Sequence, residues 1–117
     1  MYFHKVKSEE IGYFRKANFL IPFFEGQIGD KIGNLRGVDI SKEDVNELLR
    51  RCNIVLNDHS KAEELLPTEC GFFYGSTDYD EYYFEKVASV RDYIKETLLP
   101  EFDTLDDNES IQFEIWY

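Results

Sequence analysis

Two histidines, His4 and His59, and two cysteines, Cys52 and Cys70, carry the widest chemical repertoire in this 117-residue chain. A zinc site needs three or four nitrogen or sulfur ligands at recurring spacings. The chain has no HExxH, no CxxC, and no regular interval linking His4, Cys52, His59 and Cys70. Asp78-x-Asp80-Glu81 and Asp106-Asp107-Asn108 are rich in oxygen, but neither has the glycine and late glutamate of a calcium loop. Covalent catalysis needs a nucleophile beside a base, and no elbow motif presents one. Neither a metal, nor a cofactor, nor a catalytic residue is expected.

The same residues have plainer uses. Cys52 falls on the apolar stripe of an expected helix and reads as a small buried hydrophobe. Cys70 precedes a glycine in a loop, with no neighbouring cation in sequence to activate it. Two cysteines do not make a disulfide framework. His59 stands three residues after Leu56, where an imidazole could cap a helix end.

Two polar groupings remain. Gly29, Gly33 and Gly37 in "GDKIGNLRG" suggest a phosphate-cradling loop, but no G-K-[ST] follows, so a plain connection is expected. Arg15 and Asn18 are three apart and share a face if that segment is helical. That face could reach the 76–81 turn, where an arginine would meet carboxylates in a forked contact. Arg15 and Asn18 would then pin the turn. Alternatively, Arg15, Asn18, Tyr74, Ser76 and Asp80 would rim a small-ligand pocket.

Positioning these residues falls to elements legible from periodicity. "MYFHKVK" alternates and reads as a strand. Ser8, with Glu9 and Glu10 behind it, opens an expected helix whose apolar positions Tyr13, Ala17, Leu20 and Phe24 recur at helical spacing. Pro22 is expected to end or kink it near residues 20–21. Residues 26–37 read as a loop, and 38–40 as a short strand. Ser41 and Asp44 resemble a capping box ahead of the stripe Val45, Leu48, Leu49, Cys52, Val55 and Leu56. Ser60 and Glu63 suggest a second box that restarts the helix up to Pro67.

The mid-chain stretch "GFFYGSTDYDEYYF" then reads as an extended aromatic run, a capping turn and a helix. Ser76, Thr77 and Asp78 are the candidate caps. Tyr79, Tyr83, Val87, Val90, Ile94 and Leu98 carry the apolar face until Pro100 is expected to stop it. Asp78, Asp80 and Glu81 then fall in a first turn, where acids suit the helix dipole. "IQFEIWY" closes the chain as a strand. The expectation is one α+β domain over 1–117, with three main helices packed on a small antiparallel sheet formed by the N- and C-terminal strands.

Composition narrows the function classes. Apolar residues are 43% of the chain and charged residues 32%, interleaved, which suits a folded core rather than disorder. No apolar run reaches the roughly 20 residues of a membrane span. Met1-Tyr2-Phe3-His4-Lys5 lacks the apolar stretch of a secretory signal, so a cytoplasmic protein is expected. Net charge is −11, and it is not spread evenly. Residues 1–58 hold nine basic and nine acidic side chains, whereas residues 59–117 hold four and fifteen. The second half therefore repels nucleic acid and anionic membranes and attracts basic surfaces.

Three blocks carry a family resemblance. They are Gly12-Tyr13-x-Arg15-Lys16-Ala17-Asn18, Ala62-Glu63-Glu64-Leu65-Leu66-Pro67-Thr68, and Gly71-Phe72-Phe73-x-Gly75-Ser76-Thr77-x-Tyr79-Asp80-Glu81-x-Tyr83-Phe84-Glu85. Together they resemble a family of small bacteriophage and prophage proteins, over most of residues 9–95. The family pattern has Ile-His and Trp-Phe after the asparagine. Here "FLIPFFE" stands instead, so any role of that histidine is absent. The resemblance implies a phage-encoded protein in the bacterial host cytoplasm, and supplies no catalytic residues.

Two expectations of function follow. In the first, an accessory protein presents an acidic, tyrosine-rich surface to a basic host protein of the nucleic-acid-binding or defence kind, and inhibits it. The contact residues would be Asp78, Tyr79, Glu81, Tyr82, Glu85, Asp103, Asp106, Asp107 and Glu109. Tyrosine suits such a surface because it offers rigid, amphipathic contact area. The second is a nucleotide- or metabolite-binding protein, or an enzyme, using the Arg15–Asp80 pocket. The first is preferred, since the second leaves the charge asymmetry unexplained.

Overall fold

The computed structural model describes residues 2–5, 10–13, 19–29, 38–68, 79–105 and 110–114. Helices pack on an antiparallel sheet, an α+β arrangement. The sheet comprises β1 (Tyr2–Lys5), β2 (Glu10–Tyr13), β3 (Val38–Ile40) and β4 (Ile111–Glu114), in the spatial order β2-β1-β4-β3. Every neighbouring pair is antiparallel. A sheet built from the two end strands alone is thus corrected to four strands, with β2 and β3 on the flanks.

Register explains which face is buried. Phe3 sits opposite Phe113, and Ile40 opposite Ile111, and all four are buried. One residue out of phase, Asp39 sits opposite Gln112 and accepts a hydrogen bond from its Nε2 at 3.1 Å. That is the period-two alternation of a strand with one face in the core. The Phe3 and Phe113 rings lie 5.5 Å apart, and Phe24 closes on Phe113 at 4.6 Å.

Phe24 comes from α1 (Leu20–Ile28), and here the local pattern misleads. The helix expected over 8–21 is corrected over residues 10–13, which form β2, hydrogen-bonded to β1. The helix begins at Leu20, so Pro22 lies in its first turn rather than at its end. The first amides of a helix have no intrahelical acceptor, so a proline there forfeits nothing. Phe19, Leu20, Ile21, Phe23 and Phe24 are all buried. Gly29 ends α1 at φ +80°, its amide donating to the Glu25 carbonyl at 2.8 Å. Only glycine takes that left-handed conformation without a steric cost.

The helix α2 (Lys42–Asn57) follows its sequence signals closely. The Asp44 amide donates to Ser41 Oγ at 3.1 Å, and the Ser41 amide donates back to Asp44 Oδ2 at 3.0 Å. This reciprocal box satisfies two amides that the helix leaves unpaired. Val45, Leu48, Cys52 and Val55 form the buried stripe, with Leu49 and Leu56 packed beside it. The second box is corrected. Asp58, not Ser60, caps the next turn, accepting from the Ser60 amide at 3.1 Å and its hydroxyl at 2.6 Å. Those hydrogen bonds hold the Asp58 carboxyl below its ordinary pKa. A 3-10 turn, His59–Lys61, then leads into α3 (Ala62–Leu65).

The last helical rod differs at both ends from expectation. It starts at α4 (Glu81–Tyr93), with Asp80 as the cap, accepting from the Tyr83 amide at 3.1 Å. Asp80 therefore precedes the first turn, and the candidate caps 76–78 lie outside the described residues. Nor does Pro100 stop the rod. A wide π turn, Ile94–Leu98, leads into α5 (Leu99–Asp103), and the Leu99 amide reaches five residues back to the Ile94 carbonyl. In a regular α-helix the Pro100 ring would crowd the carbonyl of Glu96. Widening the preceding turn opens that space. Of the final strand, residues 111–114 are described and 115–117 are not.

Two measurements test this local chemistry. Ser41→Ala removes one half of the reciprocal box and is expected to cost about 1 kcal/mol in urea unfolding. Glu47 binds Arg50 and Arg51 on α2, and the Arg50 hydrogen bond holds its carboxyl below the ordinary value. A depressed carboxylate stabilises the fold above its unfolded pKa, and that contribution is lost as pH falls through the folded one. Glu47→Gln should therefore weaken the protein at pH 7, with the deficit shrinking as pH falls below the ordinary carboxylate range in paired denaturation curves.

Candidate functional site

The exposed face of α4 is a by-product of its buried one. Tyr83, Val87, Val90, Ile94 and Leu98 are buried in the core that they share with the α2 stripe. Burying each such side chain is worth about 1.5–3 kcal/mol. An exposed ion pair is worth about 0–1 kcal/mol. The apolar stripe therefore sets the roll of the helix, and the acids take what remains. Glu81, Glu85, Ser89, Asp92 and Glu96 recur at intervals of three and four and are all exposed, so they line one outer face. Beside them stands Tyr82, 80% exposed.

Tyr79 is differently employed. It is 36% exposed, its ring packs edge-on against Tyr83 at 5.0 Å, and its hydroxyl accepts from the Thr68 amide at 3.1 Å. Tyr83 donates its own hydroxyl to the Leu66 carbonyl at 2.8 Å, and burial pushes that phenol's pKa upward. Two tyrosines thus clasp residues 66–68 to the start of α4. The other side of that clasp is Arg51, which donates to the Leu65 carbonyl at 3.1 Å and lies over the Phe23 ring at 5.2 Å. His59 does not cap α2. Its ring stacks on Phe84 at 3.6 Å with the planes 11° apart, tying the 3-10 turn to α4.

The acidic residues expected at the partner surface are thereby divided. Glu81, Tyr82 and Glu85 stand together on the outer face of α4. Asp103 is bound to Lys42 Nζ at 2.7 Å, a cation contributed by the charge-balanced half of the chain. Asp78, Asp106, Asp107 and Glu109 lie outside the described residues. So do Arg15, Asn18, Tyr74 and Ser76 of the alternative pocket, together with Cys70 and most of the glycine-rich loop. Asp80, the remaining pocket residue, commits one carboxylate oxygen to its cap.

Sequence reasoning missed Asp92 and Glu96. Their spacing of seven and eleven from Glu85 is a usable signal of a shared helical face. Asp92 accepts from Arg91 Nε at 3.0 Å, so its charge is partly offset. Arg51 shows only its i,i+4 pairing with Glu47 in the sequence, because its other partners, the Leu65 carbonyl and the Phe23 ring, come from α3 and α1. Among the described residues, no group of three or more His, Cys, Asp or Glu is arranged to hold a metal ion. No described helix is long and apolar enough to cross a membrane. No protein-family model, curated protein or solved structure matches the chain.

Cys52 occupies the core as a packing residue. Burial pushes its thiol up to about 12, only partly opposed by the charge of Arg91. In a Cys70→Ser background, Cys52 should resist maleimide at pH 8 and label fully in denaturant. The tyrosine clasp predicts a contrast. Tyr83→Phe leaves a buried carbonyl without its donor and should cost about 1–2 kcal/mol, whereas Tyr79→Phe, at the exposed bond, should cost under about 1 kcal/mol. Chemical denaturation of both variants checks the order.

Proposed function

We propose that this is a small acidic accessory protein of phage type that binds a basic host protein through the outer face of α4. The partner is of the nucleic-acid-binding or defence kind, and occupation of its basic surface inhibits it. The setting is the bacterial cytoplasm, in keeping with the resemblance carried by residues 12–18, 62–68 and 71–85.

One observation carries the reading. Tyr82 is a large aromatic ring left 80% exposed, one residue from Glu81 and three from Glu85, on a helix whose roll is fixed by its core contacts. A tyrosine so placed supplies an anchor of low entropic cost, and the flanking carboxylates supply steering. Asp92 and Glu96 extend the acidic face along the same rod. Asp103 contributes less than its charge suggests, because Lys42 already satisfies it. Tyr79 acts through the clasp with Thr68, orienting the first turn of α4.

The test is capture of basic proteins from host lysate, and of a lysine- and arginine-rich helical peptide, at low and high salt. Glu81→Lys with Glu85→Lys should abolish capture while leaving the circular dichroism and Tm near those of the parent. Tyr82→Ala should weaken capture at both salt concentrations, since it removes contact area rather than charge. Capture indifferent to salt and to the double reversal overturns the proposal.

A further inference from the structure

We draw no further inference here: the strongest candidate, the acidic outer face of the last helical rod running from Glu81 through Glu85 and Asp92 to Glu96, belongs to the site already described, and nothing in the structure shows what covers it.

Discussion

The packing of two apolar stripes against each other is the constraint from which the exposed chemistry follows. Val45, Leu48, Cys52 and Val55 on α2 share one core with Tyr83, Val87, Val90, Ile94 and Leu98 of the last rod. A helix that buries five side chains in this way cannot roll without exposing several of them. The outward direction of Glu81, Tyr82 and Glu85 is therefore held by buried residues. Charge has little say in the matter, since exposed carboxylates gain equally from water in many orientations.

Beneath the helices, the sheet contributes an aromatic floor. Phe3, Phe113 and Phe24 meet at centroid distances of 4.6–6.1 Å, and Tyr93 joins Phe3 at 5.6 Å. Offset and tilted rings at such separations gain a little beyond their area burial. Polar contacts then lock the elements in place at their ends. The capping box starts α2, the Asp58 cap turns the chain after it, and Arg51 ties α2 to α1 and α3. Lys42 and Asp103 join the start of α2 to the end of α5. Such a pair on the surface is weak in free energy but informative about charge, because it withdraws one acid from the outer face.

Where local reading failed, it failed for identifiable reasons. Residues 8–24 carry apolar side chains at helical intervals, yet residues 10–13 are a strand because β1 offers backbone partners that no local pattern announces. Pro22 reads as a terminator only if the helix starts near Ser8; it starts at Leu20, which puts the proline in the first turn. A proline is tolerated in the first turn and disruptive later. Pro100 reads as a stop from local pattern alone, and the π turn that accommodates it leaves no mark in composition. Ser60 and Glu63 match a capping box by spacing, but Asp58, two residues before Ser60, takes the Ser60 amide and hydroxyl and so caps the turn.

What the amino-acid sequence determined by itself was the α+β class, the strand at 38–40, and the α2 helix with its box and stripe. The uneven charge and the inertness of Cys52 belong to the same group. The strand and the α2 helix with its box depend on neighbours within about four residues, whose interactions are set by spacing alone. Only the tertiary structure decided that residues 10–13 pair in the sheet, that His59 stacks on Phe84, and that Asp103 is met by Lys42. Those contacts join residues up to 61 positions apart. Their partners are selected by how whole elements pack, and no local spacing encodes that.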